Sequence, residues 1–159
     1  MSAPVAAELR PIAEVEPEIL AGVRVFRHVR AHGRDLLELN EKNPGMFDGS
    51  RWLDCDLEGT EWPPELHDVT IVDSNLKDSV WRLTNGENIR IMGTKRIPMS
   101  VDPRSGDIVA DLSHVRARVD GMRVTGHAPG FTLVQVAGEG VRLGDVDPHI
   151  FDNKGTTDG

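Results

Sequence analysis

The chain has 159 residues, of which 38% are apolar and 4% aromatic, and its formal net charge is −8. This length predicts one domain with a buried core, and the lack of any run of about 18 apolar residues argues against a transmembrane helix. The single cysteine, Cys55, excludes an internal disulfide and a metal site built from several cysteines.

The two ends of the chain differ from the middle in composition. Residues 1–22 contain Pro4, Pro11 and Pro17, and this spacing of prolines predicts an extended N-terminal arm with at most one turn of helix. Residues 152–159 are small and polar, which predicts a flexible C-terminal tail. The residues between them, 23–151, are expected to form a single β-rich domain.

The stretch 23–40 supports two interpretations. Alternating apolar residues and a glycine-centred turn at 32–34 favour two strands, over residues 23–31 and 35–40. Some apolar residues in this stretch also have the spacing of a helix, so a helix is the alternative to the two strands.

From residue 45 onward, short runs rich in β-branched residues alternate with Gly, Pro, Asn and Asp. Many short strands at regular spacing are typical of an all-β domain. The runs are 69–72, 79–81, 88–91, 107–110, 122–124, 131–136 and 141–143. Residues 93–106 contain two prolines and a Ser-Gly turn, so we expect a protruding loop there.

A repeat of five residues is visible in residues 45–64. A large apolar residue stands at every fifth position, and a small residue stands two places before it. The large residues are Phe47, Trp52, Leu57 and Trp62, and the small ones are Gly45, Ser50, Cys55 and Thr60. This pattern predicts a square coil in which each side turns one large side chain inward and successive coils pair their backbone groups.

The segment Cys55-Asp-Leu57-Glu-Gly59 resembles the pentapeptide-repeat family, whose pattern is small-Asp-Leu-x-Gly. The resemblance is clear over residues 45–64 and degenerate over residues 69–83 and 110–124. It implies the family's fold, a right-handed β-helix, here irregular and solenoid-like over residues 45–124. A β-sandwich or a barrel is the alternative within the all-β class.

The negative charge is concentrated in residues 38–78, which account for the whole net charge of −8. This acidic band is a candidate surface for a basic protein partner, with a merely solvated face as the alternative. Its proposed contact residues are Asp54, Asp56, Glu58, Glu61, Glu65 and Asp68.

A second candidate surface is basic and contains Arg116, Arg118 and Arg123. The first two alternate with apolar residues, so a strand over residues 115–119 would place them on one face.

No pattern in the sequence points to catalysis. Cys55 lies between two aspartates, which raise the pKa of a thiol, so a small interior residue is the favoured interpretation. His28 and His32 have a spacing that suits zinc on a helix, but no third ligand stands nearby. We therefore predict no catalytic, metal or cofactor site, and we expect a protein that is not an enzyme.

These features favour a non-enzymatic structural or interaction protein that assembles with itself or with a larger complex. By analogy, the expected setting is a bacteriophage virion, with the chain as a capsid-decorating or tail component. Protein partners are expected, and membrane or direct nucleic-acid binding is not. The N-terminus lacks the pattern of a signal peptide, so the expected location is cytoplasmic or virion.

The alternative function is that of a DNA-mimicking regulator. Some pentapeptide-repeat proteins imitate duplex DNA in shape and charge and bind type II topoisomerases, and the acidic band fits such a role.

Overall fold

The computed structural model of the chain describes residues 8–95, 99–111, 115–144 and 149–151. Within these residues short strands predominate over two helices, which confirms the predicted all-β class. The strands are β1 Arg10–Pro11, β2 Val25–Arg27, β3 Val29–Arg30, β4 Arg51–Leu53, β5 Glu61–Trp62, β6 Glu65–Val72, β7 Val80–Leu83, β8 Asn85–Met92, β9 Met99–Val101, β10 Ile108–Ala110, β11 Arg123–Gly126, β12 Thr132–Val134 and β13 His149–Phe151. The helices are α1 Ile12–Leu20 and α2 Asp35–Lys42.

Parallel strands dominate the architecture. The large sheet has six strands in the order β13-β12-β8-β6-β4-β2, and a second sheet has three in the order β11-β7-β5. In the large sheet Arg51 pairs with Thr70 and Thr70 with Arg90, so these strands follow one another at steps of 19 and 20 residues. Among the described residues no closed barrel forms, because the large sheet ends at β2 and at β13.

Two steps in the large sheet are longer than the others. Val25 pairs with Arg51, a step of 26 residues that contains α2. Arg90 pairs with Thr132, a step of 42 residues that contains β9 and β10. The parallel strands therefore form a regular stack with two insertions, one helical and one an antiparallel hairpin.

The chain bends sharply where it leaves the large sheet. His28, Asp54, Asp73 and Gln135 directly follow β2, β4, β6 and β12, and each has a positive φ between 48° and 54°. Aspartate tolerates this left-handed conformation better than most residues. Several of the chain's aspartates are therefore explained by bends in the backbone.

The large residues of the five-residue repeat are all in the core. Phe47, Trp52 and Leu57 are fully buried, and Trp62 is 2% exposed. Three indoles fit inside the stack because they pack against one another: Trp62 lies parallel to Trp81 at 4.4 Å between ring centroids, and edge-on to Trp52 at 5.5 Å.

Small residues of the repeat accept hydrogen bonds from two of these indoles. Trp52 Nε1 donates a hydrogen bond to Ser50 Oγ at 2.9 Å, and Trp81 Nε1 donates to Ser79 Oγ at 3.0 Å. A buried indole N–H needs such an acceptor. The serine two places before Trp52 and before Trp81 therefore supplies the hydrogen-bond partner, whereas Trp62 follows Thr60 and its indole N–H is buried with no partner.

The prediction of an extended N-terminal arm is wrong for residues 12–20, which form helix α1. Pro11 precedes the helix, and Pro17 lies inside it. Ile12, Val15 and Ile19 are buried in the same apolar cluster as Phe26 of β2. The apolar face of α1 covers this part of the core, and that burial offsets the hydrogen bond that Pro17 cannot donate.

The preferred interpretation of residues 35–40 as a strand is also wrong, whereas that of residues 23–31 holds for β2 and β3. Residues 35–42 form helix α2, with Leu36 and Leu39 buried. The alternative interpretation, a helix, therefore holds for residues 35–42, whose sequence contains strong helix formers. The predicted tail at 152–159, the middle of the predicted loop at 96–98 and the repeat positions 112–114 lie outside the described residues.

Candidate functional site

The acidic residues predicted as a contact surface do not share one face. Asp54 follows β4 in the large sheet, Glu61 lies in β5 of the three-stranded sheet, and Asp68 is a bend within β6 where φ is 56°. The chain thus passes from one sheet to the other and back between the first and last of them. These side chains are therefore distributed over the two sheets and the turns between them.

Most of these acids contact side chains of a neighbouring strand or loop. Asp54 forms an ion pair with Arg116. The hydrogen bonds run from Arg82 to Glu61 (3.1 Å), from Asn88 to Asp68 (3.1 Å), and from Asn75 to both Asp56 (3.3 Å) and Glu58 (3.4 Å). The acidic residues therefore link successive levels of the stack to one another.

The predicted basic surface is divided as well. Residues 115–119 form no strand, and within them Arg118 makes isolated bridges to Asn75 and Ala137. The predicted alternation is nevertheless present, since Ala117 is buried and Arg116 is exposed. Arg123 lies in β11 of the three-stranded sheet, whereas Arg116 and Arg118 lie in no strand.

Arg118 forms a two-point contact with Asp120. Its Nε donates to Oδ2 at 3.0 Å and its Nη2 to Oδ1 at 3.2 Å, while the amide of Glu139 also donates to Oδ1 at 3.1 Å. Partial burial would by itself raise the pKa of Asp120, but these hydrogen bonds outweigh it and hold the pKa below its ordinary value. Arg118 is thereby engaged within the chain.

Cys55 is an interior residue, as predicted. It is 4% exposed, and its Sγ lies 3.4 Å from the carbonyl oxygen of Leu53. Burial, with a smaller contribution from Asp54, raises the pKa of the thiol to about 11. The dominant cause is thus desolvation, whereas the sequence pointed to the neighbouring carboxylates. Among the described residues no group of three or more His, Cys, Asp or Glu side chains is placed to hold a metal ion.

The feature that sequence reasoning missed is the hairpin formed by β9 and β10. Val101 pairs with Ile108, Ser100 with Val109 and Met99 with Ala110. The predicted run at residues 107–110 corresponds to β10, whereas β9 and its pairing with β10 were missed, because residues 93–106 were expected to form a loop. The two short apolar runs on either side of an Asp-Pro-Arg-Ser-Gly-Asp turn were the available signal.

The turn of the hairpin is held by a compact set of hydrogen bonds. The amide of Gly106 donates to the carbonyl of Asp102 at 2.8 Å, and the amide of Arg104 donates to the Asp102 carboxylate at 2.8 Å. Gly106 has φ of 77°, which suits glycine. The tip of the hairpin is therefore well ordered by its own backbone.

The base of the hairpin insertion is attached to two aspartates of the stack. Thr94 donates from its amide to Asp73 Oδ1 at 2.9 Å and from its hydroxyl to Asp73 Oδ2 at 2.6 Å. At the other end, Arg116 pairs with Asp54. Both aspartates have a positive φ and lie at bends of the chain, each directly after one of two neighbouring strands of the large sheet. The insertion thus leaves and rejoins the stack at fixed points.

The exposed large apolar side chains of the described residues belong to two segments only. One is the hairpin, and the other is the segment that joins α1 to β2 together with the adjoining residues. They are Met99, Val101, Ile108 and Val109 in the hairpin, and Leu20, Val23 and Val25 near the N-terminus. Elsewhere in the described chain such side chains are covered.

In the part of the chain that the structure describes, no helix has both the length and the apolar character needed to cross a membrane. Comparison of the chain with protein-family models, with curated proteins and with solved structures gives no match.

Proposed function

We propose that this chain is a non-enzymatic assembly protein whose β-helical body presents the β9–β10 hairpin to a protein partner. The body is proposed to be an irregular right-handed β-helix of the pentapeptide-repeat type. Steps of 19 and 20 residues between paired strands support this, because they correspond to four sides of about five residues. The right hand follows from the general preference of parallel crossover connections.

The observation that carries the proposal is the exposure of the hairpin's apolar side chains. Val101 is 65% exposed and Ile108 is 70% exposed, on a two-stranded element that, among the described residues, is hydrogen-bonded to no third strand. A two-stranded hairpin is marginal in water by itself, and exposed apolar surface of this kind commonly marks an interaction site. Thr94 and Arg116, which lie before and after the hairpin in the chain, contact Asp73 and Asp54 of the large sheet.

The proposed partner is a protein, either another copy of the chain or a component of a larger assembly. A bacteriophage virion is the proposed setting, by analogy with capsid-decorating and tail proteins. The proposal includes no cofactor and no catalytic residue.

The DNA-mimicking alternative has weaker support. A mimic needs a continuous run of unpaired negative charge, whereas Glu61 and Asp54 are paired with arginines and the acids are distributed over the two sheets and the turns between them. A supercoiling assay with a type II topoisomerase tests it: inhibition by the purified chain would favour the mimic over the assembly protein.

Site-specific photo-crosslinking in the native host tests the assembly proposal. A photoreactive residue replaces Val101 on the hairpin, and in a control it replaces Lys77, which is exposed on the stack. We expect a defined crosslinked product, identified by mass spectrometry, from position 101 and none from position 77. Equal yields at both positions, or no product from position 101, would refute the hairpin as the binding element.

A further inference from the structure

The two exposed apolar segments differ in charge. Residues 99–111 of the hairpin carry three aspartates and one arginine. Residues 20–27, which contain the exposed Leu20, Val23 and Val25, carry two arginines and no acid. Charges of opposite sign attract and those of like sign repel across an interface. A hairpin would therefore repel a second hairpin but attract the N-terminal segment of another copy.

The hairpin presents one mainly apolar face. Val101 and Ile108 are directly paired, so their side chains lie on the same side of the two strands. Met99 lies two residues from Val101 and shares that side. Ser100 and Val109 form the pair between them and lie on the opposite side. Val109 thus provides an internal comparison for the apolar face.

The N-terminal patch, defined as Leu20, Val23 and Val25, is held in place by Arg24. Its Nη1 donates to the carbonyl of Ile19 at 2.9 Å and to that of Val23 at 3.0 Å. This contact fixes the turn between α1 and β2. The patch adjoins β2, the last strand at its end of the large sheet. It is therefore an ordered apolar surface at one end of the stack.

We infer that copies of this chain associate head to tail, with the Met99, Val101 and Ile108 face of one hairpin packed on the N-terminal patch of the next copy. This inference rests on the proposed assembly function and names the partner. Such a contact joins two different surfaces, so each copy has one of each to offer and association continues into a ring or a chain. The apolar faces supply the driving force, and the arginines and aspartates beside them fix the direction of pairing.

Sedimentation velocity at increasing concentration tests the inference with three serine variants. Ile108→Ser alters the hairpin face, Val25→Ser alters the N-terminal patch, and Val109→Ser is the matched control on the other side of the hairpin. All three positions are at least 46% exposed, so the fold tolerates serine there. We expect the wild type and Val109→Ser to grow beyond the 17.5 kDa monomer, and the other two variants to remain monomeric.

Mixing the two monomeric variants gives the decisive result. Each variant keeps one intact surface, so an equimolar mixture of Ile108→Ser and Val25→Ser should form a dimer and stop there. A wild type that stays monomeric at every concentration, a Val25→Ser variant that assembles normally, or a mixture that stays monomeric would each overturn the inference. If position 101 crosslinks to a different protein while the chain itself stays monomeric, the assembly function stands and head-to-tail association fails.

Charge reversal provides a second, independent measurement. Arg27→Glu and Asp107→Arg should each weaken association, and a mixture of the two should recover it because opposite charges again face each other. Association that is insensitive to both reversals and to added salt would contradict the charge argument.

Discussion

Arg116 forms an ion pair with Asp54, which follows strand β4 of the large sheet. The sequence pattern assigns these two residues to separate candidate surfaces of opposite charge. Their contact, together with that of Thr94 with Asp73, attaches the hairpin insertion to the stack at both ends. Charged residues that the sequence offers for binding a partner thus contact each other where the hairpin insertion rejoins the large sheet.

Replacement of Arg116 by Gln is expected to loosen the base of the hairpin while leaving the stack folded. The side chains of Arg116 and Asp54 are 56% and 28% exposed, so the loss in global stability should stay below about 1 kcal/mol. Hydrogen exchange measured by mass spectrometry should become faster in residues 99–111. Arg104→Gln at the tip is the control, and equal exchange in the two variants would argue against the attachment.

Replacement of Ser79 by Ala should destabilise the core, because Trp81 Nε1 would lose its acceptor. An unsatisfied buried N–H costs about 1–3 kcal/mol. Urea unfolding followed by tryptophan fluorescence measures the change. Ser100→Ala, on the exposed hairpin, should have almost no effect, and a Ser79→Ala variant as stable as this control would show that the hydrogen bond contributes little.

Gly126 and Gly22 make a matched pair for backbone conformation and crowding. Their φ angles are 97° and 100°, but a Cβ on Gly126 would overlap the carbonyl oxygen of Leu83, whereas nothing lies within 4 Å of one on Gly22. Gly22→Ala should cost about 1–3 kcal/mol from the positive φ alone. Gly126→Ala should cost clearly more, and thermal unfolding of both variants compares them. Equal losses of stability in the two variants would mean that the strands around Gly126 move apart easily to make room for a Cβ.

The raised pKa of Cys55 predicts a loss of stability in alkaline solution. Burial raises the pKa of the thiol from 9.0 to about 11 in the folded chain. Below pH 9 the thiol is protonated in both states, so its contribution is fully present there; it is lost as the pH rises towards 11, because the unfolded chain releases the proton first.

Urea unfolding of the wild type and of Cys55→Ala at several pH values measures that contribution. The wild type should lose more stability than the variant between pH 9 and 11. A thiol reagent should also modify the folded wild type slowly and the unfolded chain quickly. Parallel pH profiles, or rapid labelling of the folded chain, would show that the thiol is not buried in solution.

The five-residue pattern was readable because it depends on local sequence periodicity. Phe47, Leu57 and Trp62 occupy equivalent positions, and each is buried where the pattern placed it. The strand runs around residues 69–72 and 88–91 were predicted for the same reason, since alternation reports which side chains face a core. The resemblance to the pentapeptide-repeat family remains a prediction.

Helix α1 was not predicted, and helix α2 was only the alternative interpretation, because the stability of both comes from contacts distant in sequence. Pro17 disfavours a helix locally, yet Ile12, Val15 and Ile19 gain more by burial against the core than the proline costs. The exposure of Ile108 could not be predicted either, since an apolar run has the same sequence pattern whether or not another strand covers its side chains.

The all-β class, the inward-facing positions within residues 45–64 and the burial of Cys55 can be read from the sequence alone, because they follow from periodicity and side-chain size. The places of the charges, in contrast, depend on the tertiary structure. Residues close in the chain, such as Asp54 and Glu61, are carried to different sheets, while residues far apart, such as Asp54 and Arg116, are brought into contact. In such a set of parallel strands, each strand lies beside one that is about 20 positions further along the chain. Neighbouring surface residues are therefore about 20 positions apart in sequence or, at an insertion, much further apart.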